Sequence, residues 1–246
     1  MPRSLPPDGG GPDALRRVSL IAGPEVDRRR AVVARRAAVA LAGHDGDEEA
    51  VRAALGDDTP DVRAGALLAL VRHHWATPRD ARRVLGDPAV AVRLAACECA
   101  PSLPGADYRP LLHDPAGEVV EAAAFACGEQ RDTRAVAALA RLATDHADPL
   151  CREAAVAALG AIGDPAGRQA VLAALGDLPA IRRRAVVALA AFEGADVEAA
   201  LRARLSDRDW QVRQAAEDVL GEETPLRGPA AGPGEAESPR GRSPRP

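Results

Sequence analysis

The chain has 246 residues, of which 47% are hydrophobic and only 2% aromatic, so its core must be built mainly from Ala, Val and Leu. All 32 basic side chains are arginines, set against 36 acids, and the net charge of −4 argues against a protein whose main task is to coat nucleic acid. No uninterrupted apolar stretch approaches the ~18 residues that span a bilayer, so we expect no membrane segment.

The two ends of the chain differ from its middle. Residues 1–12 are rich in Pro and Gly and lack the apolar run of a secretory signal, which predicts a disordered segment in a cytoplasmic protein. Residues 222–246 contain Pro, Gly, Ser, Glu and Arg with almost nothing to bury, which predicts a second disordered segment. Acids and arginines balance in this tail, so it is not a basic arm for nucleic acid.

Between the ends, residues 13–221 contain an internal repeat of the form Asp-(Pro)-x-x-Val-Arg-x-x-Ala-x-x-Ala-Leu. Steps of 27 to 32 residues separate the copies. Taking the Val position as the marker gives seven units, with the markers Val33, Val62, Val92, Val119, Cys151, Ile181 and Val212.

Each unit is predicted to be a hairpin of two helices, A and then B. Within the block, apolar residues such as Val62, Ala66 and Leu70 recur at helical spacing and form the stripe of an amphipathic helix B. Asp-Pro pairs precede several blocks, where Asp can cap the helix and Pro is tolerated in its first turn. Shorter A helices are predicted upstream, at 48–55, 79–85, 135–143, 168–175 and 197–205.

Two further features complete the predicted hairpins. In the fourth unit, Pro104 and Pro110 restrict helix A to a short or irregular piece. Glycines close to the predicted helix ends are candidates for left-handed caps: Gly56, Gly86, Gly160, Gly176 and Gly221. One hairpin cannot bury its own apolar face, so the units must stack into an all-α solenoid.

The two-helix period, the turn Asp and the Val-Arg-x-x-Ala-x-x-Ala-Leu of helix B resemble HEAT repeats, in the short alanine-rich variety named after phycobilisome lyase subunits. This repeat serves scaffolds, adaptors, bilin lyases, a di-iron hydroxylase and binders of DNA lesions. The resemblance therefore implies the fold and leaves several functions open.

The turn Asp and the helix-B Arg recur most often. We interpret them as a structural ladder, in which each Asp caps its helix and meets an Arg of the same or the next unit, rather than as ligand contacts. The fourth unit has Val120 at the Arg position. The residues assigned to this ladder are Asp57, Arg63, Asp87, Arg93, Asp148, Arg152, Asp177, Arg182, Asp207 and Arg213.

The resemblance also implies that the B helices line the concave side, where positions two and six after the marker point outward. A surface meant only for water does not need large apolar residues at these positions, so we expect a groove for an extended peptide or a partner helix. The alternative is that these side chains only fill gaps between B helices. The residues assigned to the groove are Leu68, Leu94, Phe125, Val187, Glu98, Glu121, Glu153, Arg35 and Arg183.

Other chemistry finds little support in the sequence. The five histidines lie in turns or follow a helix, and the His-Glu pairs that identify HEAT-like hydroxylases do not occur, so we predict no metal and no other cofactor. Four cysteines fall inside apolar helical patterns, which favours buried thiols over nucleophiles or bilin attachment sites: Cys97, Cys99, Cys127 and Cys151.

Nucleic acid is disfavoured for a separate reason. Arginine clusters at 28–30 and 182–184 belong to the first and sixth units, and Glu98, Glu121 and Glu153 lie between them. The prediction is a scaffold or adaptor without catalytic residues, whose partner is another protein. An enzyme subunit of the bilin-lyase or HEAT-oxidoreductase type is the alternative.

Overall fold

The computed structural model describes residues 24–221. This range contains α-helices and short 3-10 helices and no strands. The α-helices are α1 (Pro24–Asp45), α2 (Glu48–Ala53), α3 (Pro60–Arg72), α4 (Pro78–Leu85), α5 (Val90–Glu98), α6 (Gly117–Glu129), α7 (Val136–Asp145), α8 (Pro149–Ile162), α9 (Arg168–Ala174), α10 (Pro179–Leu189), α11 (Ala195–Arg204) and α12 (Trp210–Leu220). The 3-10 helices are Ala54–Gly56, Ala100–Ser102, Arg109–His113, Thr133–Ala135 and Pro165–Gly167.

The helices form stacked hairpins, so the prediction of an all-α solenoid is confirmed. Each B helix packs against the B helix of the next unit; these are α1, α3, α5, α6, α8, α10 and α12. The A helices α2, α4, α7, α9 and α11 precede their B helices, as predicted. The predicted segments 1–12 and 222–246 lie outside the described residues, as does the start of the predicted solenoid at 13–23.

The core runs through the whole stack and is built from small and branched aliphatic side chains. Six of the seven predicted markers are buried: Val62, Val92, Val119, Cys151, Ile181 and Val212. Alanines on the B helices, such as Ala123, Ala154 and Ala185, are also fully buried. Because Ala adds little bulk beyond the backbone, the helices pack closely without aromatic side chains between them.

The fourth unit replaces an α-helical A element with 3-10 turns. The prolines at 101, 104 and 110 leave only the 3-10 helices Ala100–Ser102 and Arg109–His113, which confirms the short or irregular piece predicted there. Tyr108 fills the space instead. It is 1% exposed, and its hydroxyl donates to the Ala96 carbonyl at 3.1 Å.

The predicted glycine caps are mostly wrong. Gly221 alone of the five has left-handed backbone, with φ of +69°, and the cap of α8 is Gly163, with φ of +70°. Gly160 lies inside α8, where a Cβ would come 2.6 Å from Cβ of Ala188 on α10. The glycine therefore permits close contact between helices rather than ending one.

In the first unit, the predicted register is wrong by one residue. Val33, the assigned marker, is 65% exposed, and Val39, which was expected to point outward, is buried. Moving the marker to Ala34 places Gly43 nine residues later, the position that Gly128 and Gly160 occupy in later units. It also places Arg35 at the ladder position, where the ion pair described below is found.

Candidate functional site

The turn Asp and helix-B Arg side chains pair between neighbouring units. The Arg of one B helix binds the carboxylate in the turn before the next B helix, mostly through two guanidinium nitrogens. The closest N–O distances are 2.7 to 2.9 Å, in the pairs Arg35–Asp57, Arg63–Asp87, Arg93–Asp114, Arg152–Asp177 and Arg182–Asp207. We call these five pairs the Arg–Asp ladder.

Most ladder residues also bind the turn of their own unit, with Arg35 as the exception. Asp87 accepts from the backbone N–H of Ala89, and Arg93 Nη1 donates to the carbonyl of Asp87 at 2.8 Å. The same carbonyl contact joins Arg63 to Asp57 and Arg182 to Asp177. An Arg thus ties the turn of its own unit to the turn of the next, so the ladder sets the spacing of the hairpins.

Four of the five ladder carboxylates have pKa values below the ordinary Asp value, and these contacts contribute to each shift. Hydrogen bonds from Arg93, Arg152 and Arg182 are the main reason that the pKa values of Asp114, Asp177 and Asp207 lie below the ordinary Asp value. For Asp87, burial raises the carboxyl pKa. The hydrogen bond from Arg63 is among the contacts that outweigh burial, so the pKa of Asp87 also lies below the ordinary Asp value.

The ladder is interrupted where the sequence lacks its Arg. Val120 is buried at that position, and within residues 24–221 Asp148 forms no ion pair, although it caps α8 through the N–H of Leu150. Asp148 and Arg152 therefore do not pair with each other. Arg213 in the last described unit donates only to the carbonyls of Asp207 and Arg208.

The apolar residues assigned to the groove remain partly exposed after folding. Leu68, Phe125 and Val187 are 48, 43 and 50% exposed. Leu94 is half-buried on α5, one helical turn before the exposed Glu98. On α6, Glu121 and Phe125 have the same spacing. Equivalent positions on packed B helices form rows, so these side chains lie on one surface, which we call the B-helix face.

Two open clefts lie on this face, one toward each end. A cleft of about 410 Å³ between α1 and α3 is lined by Leu68, Arg36, Ala40 and His73, among others. A second, of about 480 Å³ between α10 and α12, is lined by Arg183, Val187, Trp210 and Gln214, among others. The B-helix face is therefore not flat, and both clefts combine apolar and charged walls.

Some assigned groove residues have other partners. Arg35 binds the carboxylate of Asp57 and the hydroxyl of Thr59, which places it in the ladder and not in the groove. Because the register is shifted by one, Arg36 takes the groove position. Glu153 accepts from Arg184 at 3.3 Å, so its charge is partly compensated.

Sequence reasoning missed Trp210, which is 64% exposed and lines the second cleft. The residue lies two positions before the marker Val212, outside the two rows that were considered. The sequence signal was a departure from the repeat, because four of the other six units carry Pro or Gly at this position.

The four cysteines are free and buried. Burial is the main cause that raises the pKa of Cys97 and of Cys127 to about 12, and that of Cys151 to about 11. The Cys151 thiol donates to the Gly117 carbonyl at 3.3 Å. At neutral pH these groups are thiols rather than thiolates, and a thiol is a poor nucleophile.

The histidines are dispersed. His73 stacks on Trp75 with ring centroids 4.7 Å apart, and His146 accepts from the N–H of Asp148 at 3.1 Å. His44, His74 and His113 are exposed. Among residues 24–221, no three side chains of the metal-ligating types His, Cys, Asp and Glu are grouped around one point.

Residues 106–180 match the family model described as HEAT repeats, so the resemblance to this family is confirmed for that part of the chain. No curated protein matches the chain in sequence. None of the helices within residues 24–221 is both long and apolar enough to cross a membrane.

Solved structures support the same fold. The Escherichia coli protein YibA is 19% identical over 87% of this chain and 83% of its own, with a TM-score of 0.60. The designed armadillo repeat protein YIII(Dq)4CqI is 17% identical over 70% of this chain and 98% of its own, with a TM-score of 0.52. The class that the fold defines is the α-solenoid of HEAT and armadillo type.

Proposed function

We propose that this protein is a non-catalytic scaffold or adaptor that binds a peptide or a helix of another protein along the B-helix face. The observation that carries the proposal is the pair of open clefts on this face, with partly exposed apolar side chains beside each of them. Solenoids of this class present long continuous surfaces of the kind that binds extended partners.

Affinity would come from the apolar residues. Phe125 lies between the clefts and Leu68 and Val187 line them, so a partner that covers all three buries a row of apolar surface across the units. Trp210 adds the largest exposed aromatic surface at one end. Aromatic and aliphatic anchors in pockets contribute most of the energy in protein interfaces.

Specificity would come from the charges between the anchors. Glu98 is exposed on α5 and Glu121 is half-buried on the adjacent α6, so the middle of the face is acidic. Arg36 and Arg183 line the clefts toward its two ends. We therefore expect a partner with a basic side chain opposite the two acids and apolar side chains on either side.

The state of the cysteines favours binding over covalent chemistry. A bilin attachment site or a catalytic nucleophile needs an accessible thiolate. The thiols of Cys97, Cys99, Cys127 and Cys151 are buried, and their pKa values are raised by that burial.

The test is affinity capture from the native cell with tagged wild type and a Leu68→Arg/Phe125→Arg double variant, read by mass spectrometry. A protein that binds through the B-helix face should be enriched by the wild type and lost with the variant. Both positions are 43 to 48% exposed, so the variant should keep its helicity by circular dichroism. Unfolding of the variant would show that these residues belong to the core.

A matched pair of single variants distinguishes binding at the B-helix face from nonspecific binding elsewhere on the protein. Val187 near the end of α10 and Leu178 just before its start are both 50% exposed, but only Val187 lines a cleft. Val187→Arg should lose the captured protein and Leu178→Arg should retain it. Equal loss in both would contradict the proposal, as would capture that survives the double variant.

A further inference from the structure

The second cleft of the B-helix face runs beside the last described helix. Trp210, Gln214 and Asp218 line it from α12 at four-residue spacing, so they form one row along that helix. The row advances eight residues, or about 12 Å along the helix axis. Arg183 and Val187 line the cleft from α10. The cleft is therefore an open trough that follows most of α12.

The chain leaves α12 next to this cleft. Gly221 caps the helix with a left-handed φ of +69°, and its N–H donates to the Glu217 carbonyl. Such a cap turns the chain away from the helix axis. Gly221 lies three residues beyond Asp218, or about 4.5 Å along the axis. Residues 222–246, which we call the tail, are therefore attached directly to one wall of the cleft.

The tail carries one apolar anchor. Leu226 is its only Leu, Ile, Val, Met or aromatic residue, and Pro225 precedes it. A proline favours extended backbone in the residue before it, here Thr224, and does not continue a helix. The sequence therefore predicts an extended segment between α12 and this apolar pair.

The distances match an extended segment that runs back along the cleft. Trp210 lies eleven residues before Gly221, or about 16 Å along the axis of α12. Five residues of extended chain, 222–226, also span about 16 Å. Pro225 and Leu226 can therefore reach the Trp210 side chain, which is 64% exposed. Proline-rich segments bind in aromatic-lined grooves of this kind.

The charges of the cleft leave one cation for the tail. Arg184 binds Glu153 at 3.3 Å, whereas Arg183 is exposed and forms no ion pair within residues 24–221. Asp218 is the one acid that lines the cleft, on the side nearest the start of the tail. Arg183 occupies position two after its marker, one turn further along the cleft than Asp218 at position six. Glu223, two residues into the tail, can therefore pass Asp218 and bind Arg183.

We propose that the first residues of the tail occupy the second cleft of the same molecule. Pro225 and Leu226 pack against Trp210. The Glu223 carboxylate binds Arg183. The tail thereby covers one end of the B-helix face.

A short tether makes weak contacts sufficient. It gives an effective concentration on the order of 1 mM, so a contact with a Kd of about 0.1 mM is formed about nine tenths of the time. This docking is independent of the proposed function. Its consequence, competition between the tail and the partner for the cleft, rests on that function.

Tryptophan fluorescence tests the contact, because the sequence contains only Trp75 and Trp210. Full-length Trp75→Phe has Trp210 as its single tryptophan, so quenching by acrylamide measures how far solvent reaches that indole. Full-length Trp210→Phe gives the matched signal of Trp75, which lies between α3 and α4 and should not respond to the tail.

The tail is then changed at the anchor and at a control position. The docking variant is Pro225→Ser/Leu226→Ser, and the control variant is Ala236→Ser/Pro239→Ser, with the same number of changes further along the tail. We expect the docking variant to raise the quenching constant of Trp210 at least about twofold and the control variant to leave it within about 20%. Thermal melting verifies that all proteins remain folded. If Trp75→Phe melts early, the difference between wild type and Trp210→Phe replaces it.

Equal quenching of Trp210 with the wild-type tail and with the docking variant would overturn the proposal. Protection of Trp210 that increases with protein concentration would show the tail of a second copy in the cleft, and would overturn the contact within one molecule.

The competition has its own measurement. With one cleft in ten free, the docking variant should bind the partner of the B-helix face about tenfold more tightly than the control variant. Equal binding by the two variants would overturn the competition. Capture of no partner by any of the proteins would count against the proposed function, while the quenching result would still decide whether the tail docks.

Discussion

Two junctions between neighbouring units are held together by different means. Between α10 and α12, Arg182 and Asp207 form an ion pair in which both side chains are 5% exposed. Between α6 and α8 the Arg is replaced by the buried Val120, and the backbones come close instead. A Cβ on Gly128 would lie 3.0 Å from Cα of Ala158.

The comparison shows that one repeat interface can be stabilised in two ways. A buried ion pair fixes direction and spacing, but it depends on both partners being charged. Close packing of small residues depends on shape alone and is insensitive to pH. The junction between α8 and α10 has both, with the Arg152–Asp177 pair and the contact of Gly160 with Ala188. The two means are therefore compatible, and the α6–α8 junction retains the close packing without the ion pair.

Acid should have the largest effect, because it acts on four pairs of the ladder at once. The carboxyl pKa values of Asp87, Asp114, Asp177 and Asp207 are lowered in the folded state. Their contribution to stability is therefore complete above the unfolded pKa of about 4 and is lost as the pH falls through the lower folded values. Urea unfolding should give a constant contribution at pH 5 to 7 and a steep decline below about pH 4. Stability that is unchanged down to pH 2 would contradict the ladder.

Removing one buried ladder cation should have the next largest effect. Arg182→Met leaves Asp207 buried without its main partner, and we expect a loss of about 3 kcal/mol in the free energy of unfolding. The decline below pH 4 should also become shallower. Arg202→Met is the control, because Arg202 is 60% exposed and its partner Glu198 is 55% exposed, and its loss should be much smaller. Equal losses would show that burial of the pair does not matter.

A substitution at the tight junction should come third. Gly128→Ala places a methyl group against the backbone of Ala158, which must shift, and we expect a loss of about 1 to 2 kcal/mol at any pH. Gly65→Ala is the matched control on α3, because nothing lies within 4 Å of its added methyl group. That variant should gain about 0.5 to 1 kcal/mol, since Ala favours a helix. A gain in both variants would show that the contact at Gly128 is not tight.

Much of the fold was predictable because several copies of the repeat in the sequence indicate the same two-helix structure. The order of A and B helices and the break in the ladder at Val120 follow from the alignment of copies alone. The register of the first unit was not predictable in this way. Val33 matches the residue type that the repeat has at the marker position. It is nevertheless exposed, because no described hairpin precedes α1 to cover it. The Arg35–Asp57 ion pair shows which residue of α1 occupies the Arg position of the ladder.

The candidate site was only partly accessible from the sequence. Rows of equivalent positions identified Leu68, Phe125 and Val187 as side chains that could stay exposed, and their role in binding stays a prediction. The clefts depend on how adjacent helices diverge, which no repeat pattern encodes. Trp210 was missed because it lies outside the two rows, and its cleft forms only where α10 and α12 meet.

Restoring the missing ladder position should have the smallest effect and give the sharpest comparison of the two junctions. Val120→Arg creates a possible partner for Asp148, which caps α8 in the same way as the turn carboxylates of other units cap theirs. The variant loses the packing of a buried Val, so its own change in stability combines two opposing effects.

A double-mutant cycle with Asp148→Asn isolates the pair. If the α6–α8 junction retains the ladder geometry, the coupling energy between the introduced guanidinium and Asp148 should be about 1 kcal/mol. A coupling near zero at neutral pH would mean that the close approach of Gly128 to Ala158 has moved the turn out of reach. At this junction, close packing of the helices would then prevent the ion pair from forming, although both occur between α8 and α10.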